Sequence, residues 1–219
     1  MIILGLTGSI GMGKTTAAKN FKSLGVPIHD ADAAVHGMLA AGGEAVEPIA
    51  KAFPDAVRNS AVDRQRLGAL VFDDNEALRR LEKILHPRVY RHKQHFLARA
   101  ARAGSRVVVL DVPLLYETGG ERGCDAVVCV SAPPFVQAAR VLARPGMTPE
   151  KLKAILARQM PDAEKRRRAD FIVPTGLGRV ENLRAVRTIL DTVRNWRGRH
   201  WPPFPVQPRI PRNPSSWAR

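Results

Sequence analysis

The sequence predicts an α/β fold in which a parallel sheet lies between layers of helices and carries a large helical insertion and a small helical lid. Three observations predict it. Short, nearly continuous apolar runs at Ile2–Leu6, Arg106–Val112 and Asp125–Val130 have the pattern of strands buried on both faces. Segments of helical periodicity alternate with them, the signature of βαβ units. Between Ala33 and Gly104 about seventy residues read as helix with interruptions, which is far longer than one crossover needs.

Each element follows in order. Ile2–Leu6 is the first strand. A glycine-rich turn leads into a helix from Lys14 to Leu24, with Ala17, Ala18, Phe21 and Leu24 on one face and Gly25 as its stop. Val26–His29 is a short second strand ending at Asp30-Ala31-Asp32. In the insertion, Asp63 caps a helix holding Leu67, Leu70 and Val71. Asn75 begins a longer one with Leu78, Leu81, Ile84 and Leu85 on one face. Pro87 should bend or end that helix, because it lacks a donor and crowds the preceding turn. Arg106–Val112 and Asp125–Val130 are the next strands. Helices near Pro134–Leu142 and Pro149–Met160 flank an Arg-Pro-Gly turn at 144–146. Phe171–Val173 is the last strand and Val180–Trp196 the last helix. The expected organisation is one domain over 1–196, with its core at 1–32 and 105–196, the insertion at about 33–104 and the lid at about 136–160. Residues 197–219 form a Pro- and Arg-rich tail with little periodicity, expected to be flexible or extended.

Composition narrows the partners. Aromatic residues make up 5% of the chain, so the core must rest on Ala, Val, Leu and Ile. The net charge of +15 calls for a polyanionic partner, a nucleic acid or a phosphorylated small molecule. Five arginines from Arg197 onward contribute part of it, but without them the body is still at +10. The apolar start is too short for a signal peptide and lacks a basic flank, and no apolar run approaches the roughly 20 residues of a membrane helix. Cytoplasm is the expected location. Cys124 and Cys129 read as small buried side chains.

The chemistry sits in a few patterns. Gly8-Ser9-Ile10-Gly11-Met12-Gly13-Lys14-Thr15 fits G-x-x-x-x-G-K-[ST], between an apolar strand and a periodic helix. Gly8, Gly11 and Gly13 let successive backbone N–H groups turn toward phosphate oxygens, and the helix adds its free N-terminal donors. Gly11 to Thr16, Met12 included, is the part expected nearest the β- and γ-phosphates. Lys14 reaches those phosphates, and Thr15 offers its hydroxyl to Mg²⁺. Asp30 and Asp32, two apart at a strand end, project to one side. One carboxylate there can take a proton from an attacking hydroxyl and the other hold a metal-bound water, while Asp32 as a plain helix cap is the competing reading. Asp111 closes an apolar strand, the position suited to a water-mediated Mg²⁺ contact. Arg140 and Arg144 share a helical face beside the lid turn, and Arg158 follows. Such cations close over a transferring phosphoryl group. Lys165–Arg168 reads as a solvated helix surface. His86 beside Pro87 suits either a substrate contact or a structural role. Together these predict a P-loop NTPase sandwich that moves a phosphoryl group from ATP to a hydroxyl. There is no Asn-Lys-x-Asp guanine motif and no second set of helicase motifs, which argues against a GTPase or a nucleic-acid motor.

Several segments, in order, resemble bacterial dephospho-CoA kinases: LTGSIGMGKTT, LGVPIHDAD, LHPRV, VLDVPLLYE, RVLARPGMTPEKLKAILARQ and ADFIV, spanning roughly Ile2 to Trp196. The resemblance implies ATP-dependent phosphorylation of the ribose 3′-hydroxyl of dephospho-CoA, the last step of CoA biosynthesis. It implies Asp32 as general base, Arg140 on the ATP phosphates with Arg144 in support, and the insertion as the acceptor-binding part. It places Asp30, His86, Leu114 and Glu117 on the substrate side. ATP, Mg²⁺ and dephospho-CoA are the implied small molecules, with no nucleic acid and no membrane, in a monomer or weak homo-oligomer. Shikimate- or nucleotide-kinase-like enzymes are the alternative. Pro174-Thr175-Gly176-Leu177 departs from the family's pattern near the adenine, so the adenine contacts do not carry over.

Overall fold

The computed structural model describes residues 1–72 and 74–202. Among them are seven strands: β1 (Ile2–Thr7), β2 (Ile28–Asp30), β3 (Val57–Arg58), β4 (Ala61–Val62), β5 (Val107–Asp111), β6 (Ala126–Ser131) and β7 (Phe171–Pro174). Five of them form a parallel sheet in the order β2-β5-β1-β6-β7. Leu6 stands opposite Asp111 and Asp30 opposite Asp111 from the other side, so the carboxyl ends of β1, β2 and β5 lie level.

A parallel sheet must be covered on both faces, and the period of two along β1 divides its side chains accordingly. Ile2, Leu4 and Leu6 face helices α1 (Lys14–Ser23) and α9, which spans Arg179–Val193, in a core with Phe21, Val128, Val186 and Val193. Ile3 faces the other way, into a core with Leu97, Val108, Leu110, Leu115 and Val127. Cys124 and Cys129 are free and buried.

The insertion between β2 and β5 holds α2 (Ala31–Leu39), α3 (Val46–Ala52), α4 (Arg64–Val71) and α5 (Asn75–Arg102) around its own core of Met38, Leu39, Ile49, Phe53 and Leu67. It also contains the antiparallel hairpin β3–β4, which helical periodicity did not reveal. Asn59 and Ser60 turn it with φ of 48° and 60°, the left-handed pair of a tight two-residue hairpin turn. Pro87 does not end α5, which runs on to Arg102, so of the two sequence expectations, a bend or an end, the end is overturned. Proline removes the amide donor to the carbonyl four residues back, that of Lys83, and at the next carbonyl along, Ile84, Arg88 Nη1 donates at 2.6 Å. Packing of Leu81, Ile84, Leu85 and Val89 on the insertion core holds the helix through that point.

After β6 come α6 (Pro134–Leu142), α7 (Pro149–Ala157) and α8 (Asp162–Arg168). The expected helix to Met160 stops at Ala157, and Pro161 starts a separate turn. Lys165, expected on a solvated surface, is 0% exposed, while Arg166, Arg167 and Arg168 do lie outside. Near the end of the described residues the Arg199 amide donates to Asp125 Oδ1 at 2.6 Å. Most of the Pro-rich tail, from 203 on, lies outside the described residues. Among the described residues no helix is long and apolar enough to cross a membrane.

Candidate active site

β1 delivers the chain at Thr7 into a loop whose last glycine, Gly13, has φ +84° and is the N-cap of α1. Among the described residues no side chain caps that helix, so its N-terminal donors face the loop. A Cβ on Gly13 would meet Thr175 Oγ1 at 3.0 Å. Thr175 is itself the loop's outer brace, donating to the Met12 carbonyl at 2.7 Å. Arg140 fastens to the same point, with Nη2 to the Thr175 carbonyl at 2.6 Å and Nη1 to Thr175 Oγ1 at 3.1 Å and the Gly11 carbonyl at 3.4 Å. The loop's front is held by Gln137 Nε2 to the Ile10 carbonyl, 2.7 Å, and by Gln159 Oε1 accepting from the Ile10 amide, 3.0 Å.

The Lys14 ammonium reaches Asp111 Oδ1 at 2.5 Å. Burial is the main force raising the Asp111 pKa above the usual carboxylate range; Asp30 and Asp32 add to it and Lys14 opposes it. A cavity of about 450 Å³ brings together Lys14, Thr15, Asp30, Asp32 and Asp111. On the other side of Thr15, a cavity of about 300 Å³ is walled by Gly13, Thr16, Arg140, Arg144 and the start of α9. A third, of about 480 Å³, lies between α2 and α5, and Asp30 borders it as well. One of its walls is His29, whose Nε2 lies 3.0 Å from His92 Nδ1. Burial first, then His92 and Lys93, lowers the His29 pKa to about 4, so it is neutral at pH 7.

A level row of carboxylates opposite a phosphate loop is an arrangement for phosphoryl transfer, and the family follows from comparison: the dephospho-CoA kinase family model matches residues 2–177. The chain belongs to the dephospho-CoA kinase family. A dephospho-CoA kinase of Paramagnetospirillum magneticum is 63% identical over 166 residues, 76% of this chain and 78% of that relative. One from Rhodopseudomonas palustris strain HaA2 is 57% identical over 192 residues, 87% and 95% of the two chains. Among solved structures, a Thermus thermophilus protein matches with TM-score 0.77 and 37% identity, covering 88% of this chain and 97% of its own. The dephospho-CoA kinase of Campylobacter jejuni shares the fold, with TM-score 0.58 at 24% identity over 87% and 96% of the chains.

In this dephospho-CoA kinase family member, not every residue singled out by sequence reaches the cavities. Asp30 and Asp32 do, but not as alternate positions of one strand. β2 ends at Asp30, which caps α2 by accepting from the Ala33 amide at 2.9 Å, and Asp32 lies in the first helical turn. The cap is therefore Asp30, not Asp32. The Met12 side chain is buried and its Sδ accepts from the Ala132 amide, so its backbone alone belongs to the cradle. Arg144 shares the Arg140 cavity. Arg158 instead stacks over Phe72, 5.1 Å from the ring centroid, tying α7 to the insertion. Leu114, 41% exposed, stands free after β5. Glu117 is committed to structure, its Oε1 pairing with Lys165 Nζ at 2.9 Å and accepting from the Met160 amide at 2.8 Å. His86 is exposed on α5 and lines none of the three cavities.

Sequence reasoning missed Thr175, Gln137, Lys165 and the His29–His92 pair. Gln137 carried a signal, a polar residue on the face of α6 that also buries Val141.

Proposed function

We propose that this protein transfers the γ-phosphoryl group of ATP to the ribose 3′-hydroxyl of dephospho-CoA, giving CoA in the last step of its biosynthesis. The observation that carries the reading is the meeting of Lys14, Asp32 and Asp111 on one cavity at the carboxyl ends of β1, β2 and β5, in a chain of this family.

Each residue then has a task. The N–H groups from Gly11 to Thr16 cradle the phosphates, and Lys14 places its charge where the γ-phosphoryl group leaves. Arg140, fixed by Thr175 and Gly11, contributes a preorganised cation at the loop's rim, and Arg144 supports it. Asp32 takes the hydroxyl proton of the acceptor. The insertion holds the acceptor, and α6 and α7 form the lid. Oxygen donors are what Mg²⁺ requires, and the Thr15 hydroxyl and Asp111 would hold it. Lys14 engages Asp111 Oδ1, which leaves Oδ2 for the metal. Among the described residues no cluster of three His, Cys, Asp or Glu side chains is built to hold a metal alone. That suits Mg²⁺ carried in on a nucleotide, with most of its ligands phosphate and water. Bound there, it supplies charge neutralisation on the phosphate oxygens. The reading carries with it a cytoplasmic enzyme, a monomer or weak homo-oligomer, acting on two small anions.

ADP release from Mg-ATP with dephospho-CoA, shikimate, AMP or single-stranded DNA tests it. Stimulation by dephospho-CoA alone is expected. None by dephospho-CoA would sink the acceptor assignment.

A further inference from the structure

The cavity that holds Lys14, Asp32 and Asp111 and the cavity between α2 and α5 share two walls, Ile28 and Asp30. The latter in turn meets a fourth cavity, of about 460 Å³, across His92 and Arg99, and that one extends to His95 and Arg102. A path therefore leads from the carboxylate row along the last turns of α5. Near Asp30 its lining is apolar, with Ala34, Met38 and Phe96. Farther on it is basic. Arg99 stands where the two halves meet, since it lines both cavities. It lies two helical turns beyond His92, about 10 Å along the axis at about 1.5 Å per residue. Helical side chains lean toward the N-terminus of their own helix, so the Arg99 guanidinium is carried back along that axis, toward His92 and the Asp30 end of the cavity.

A basic residue in the last turn of a helix complements the helix dipole without any ligand, and Arg99 and Arg102 both lie in the last turn of α5. The surroundings of Arg99 ask for more. Among the described residues no carboxylate is within ion-pairing reach of it. The two acids on its cavity are engaged elsewhere, Asp30 with the Ala33 amide at 2.9 Å and Glu44 with Arg91 at 3.5 Å. A free guanidinium thus borders the same cavity as Asp30, with an open course beyond it.

We propose that Arg99 holds the 5′-diphosphate of the acceptor and that the pantetheine arm leaves along the cavity bounded by His95 and Arg102. This rests on dephospho-CoA as the acceptor. In that molecule the reacting 3′-hydroxyl and the 5′-diphosphate sit on one ribose, a few bonds apart. With the hydroxyl at Asp32, the diphosphate has to lie close to the carboxylate row, and Lys14 and the phosphate loop are then taken up by ATP. A second pair of phosphates needs a cation of its own. The planar guanidinium offers paired donors to phosphate oxygens, which an ammonium does not.

The test is calorimetric titration of the full chain with dephospho-CoA, its phosphate loop filled with Mg-ADP, beside steady-state kinetics and a melting curve for each variant. Arg99→Met should raise the Kd and KM for dephospho-CoA about tenfold, as loss of a hydrogen-bonded charge does, with kcat, KM for ATP and Tm unchanged. Arg99→Lys, which keeps the charge and loses the fork, should fall between the two. Arg79→Met removes the same charge from an exposed position of α5 that lines none of these cavities, and should change the Kd less than twofold. A Kd for folded Arg99→Met within twofold of wild type overturns the inference. So does an equal loss in Arg79→Met, or a tenfold loss carried instead by Lys19→Met with Lys22→Met on the α1 wall of the catalytic cavity. A wild type that binds no dephospho-CoA removes the acceptor assignment and this site together. A wild type that binds and phosphorylates it, with Arg99→Met unaffected, removes this site alone.

Discussion

Replacing Glu117 by alanine separates a structural carboxylate from a substrate-binding one. Its Oε1 holds the ammonium of Lys165, 0% exposed, at 2.9 Å and the Met160 amide at 2.8 Å. Lys165 also donates to the Pro113 carbonyl at 3.2 Å, which in turn accepts from Thr7 Oγ1 at 3.0 Å at the mouth of the phosphate loop. Removing one partner of a buried pair leaves an uncompensated charge and typically costs about 3–5 kcal/mol. Glu117 is partly open to solvent, so the lower end, about 3 kcal/mol, applies. For a chain of this size that is a fall in Tm of about 6–12 °C. Urea denaturation measures the first and calorimetry the second. Adding Lys165→Met to a Glu117→Met background should recover most of the loss, since neither charge then remains. Burial alone would raise the Glu117 pKa, but its hydrogen bonds to Lys165 and Met160 win and hold it below 4.5. A depressed carboxylate stabilises above its unfolded pKa, so this contribution is present at neutral pH and fades as pH drops below about 4.5. A Glu117→Ala protein as stable as wild type, but with a tenfold higher KM for dephospho-CoA, would refute the reasoning and return Glu117 to the acceptor.

Three further perturbations have defined outcomes. Asp32→Asn should lower kcat about 10²-fold or more with Kd for ATP little changed, as loss of a general base does; wild-type kcat would remove Asp32 from that role. Gly13→Ala forces an L side chain to φ +84° against Thr175, so ATP binding should weaken about tenfold and Tm drop by a few degrees; an unchanged Kd would contradict the brace. His29, flanked by His92, Lys93 and Asp30, stays neutral in the fold down to about pH 4 while the unfolded chain protonates near 6.5. The wild type should therefore lose about 3 kcal/mol between pH 6.5 and 4 through this group, a loss that His29→Phe removes; parallel stability curves for the two proteins would rule it out.

The phosphate loop was legible in sequence because its chemistry is contiguous: the glycines, Lys14 and Thr15 act within one turn of chain, and a strand and helix flank them. Asp111 was legible for the same reason, an acid closing an apolar run. What sequence hid was held by partners far along the chain. Lys165 sits in a run of four basic residues, and the Glu117 carboxylate and Pro113 carbonyl, 48 and 52 positions away, draw it inside while its three neighbours stay wet. Thr175 looked like a departure from a family pattern, yet it is the contact between Met12 and Arg140. Pro87 shows the reverse case, in which the expected end of the helix was overridden by packing of Leu81, Ile84, Leu85 and Val89 on the insertion core.

The unbroken course of α5 has a mechanical meaning. Its 28 residues make a rod about 42 Å long, at about 1.5 Å per residue. Its first half is bedded in the insertion core and its second half, at Phe96, Leu97 and Ala100, in the core beneath the sheet. The rod is thus seated at both ends, and its most compliant point is the turn before Pro87, where one rung of the backbone ladder is missing. Leverage applied to the insertion passes that point and arrives at the start of β5, the strand that carries Asp111. Any displacement of the insertion is thereby geared to the strand end that carries Asp111, and stiffening the turn with Pro87→Ala should alter how far the two travel together.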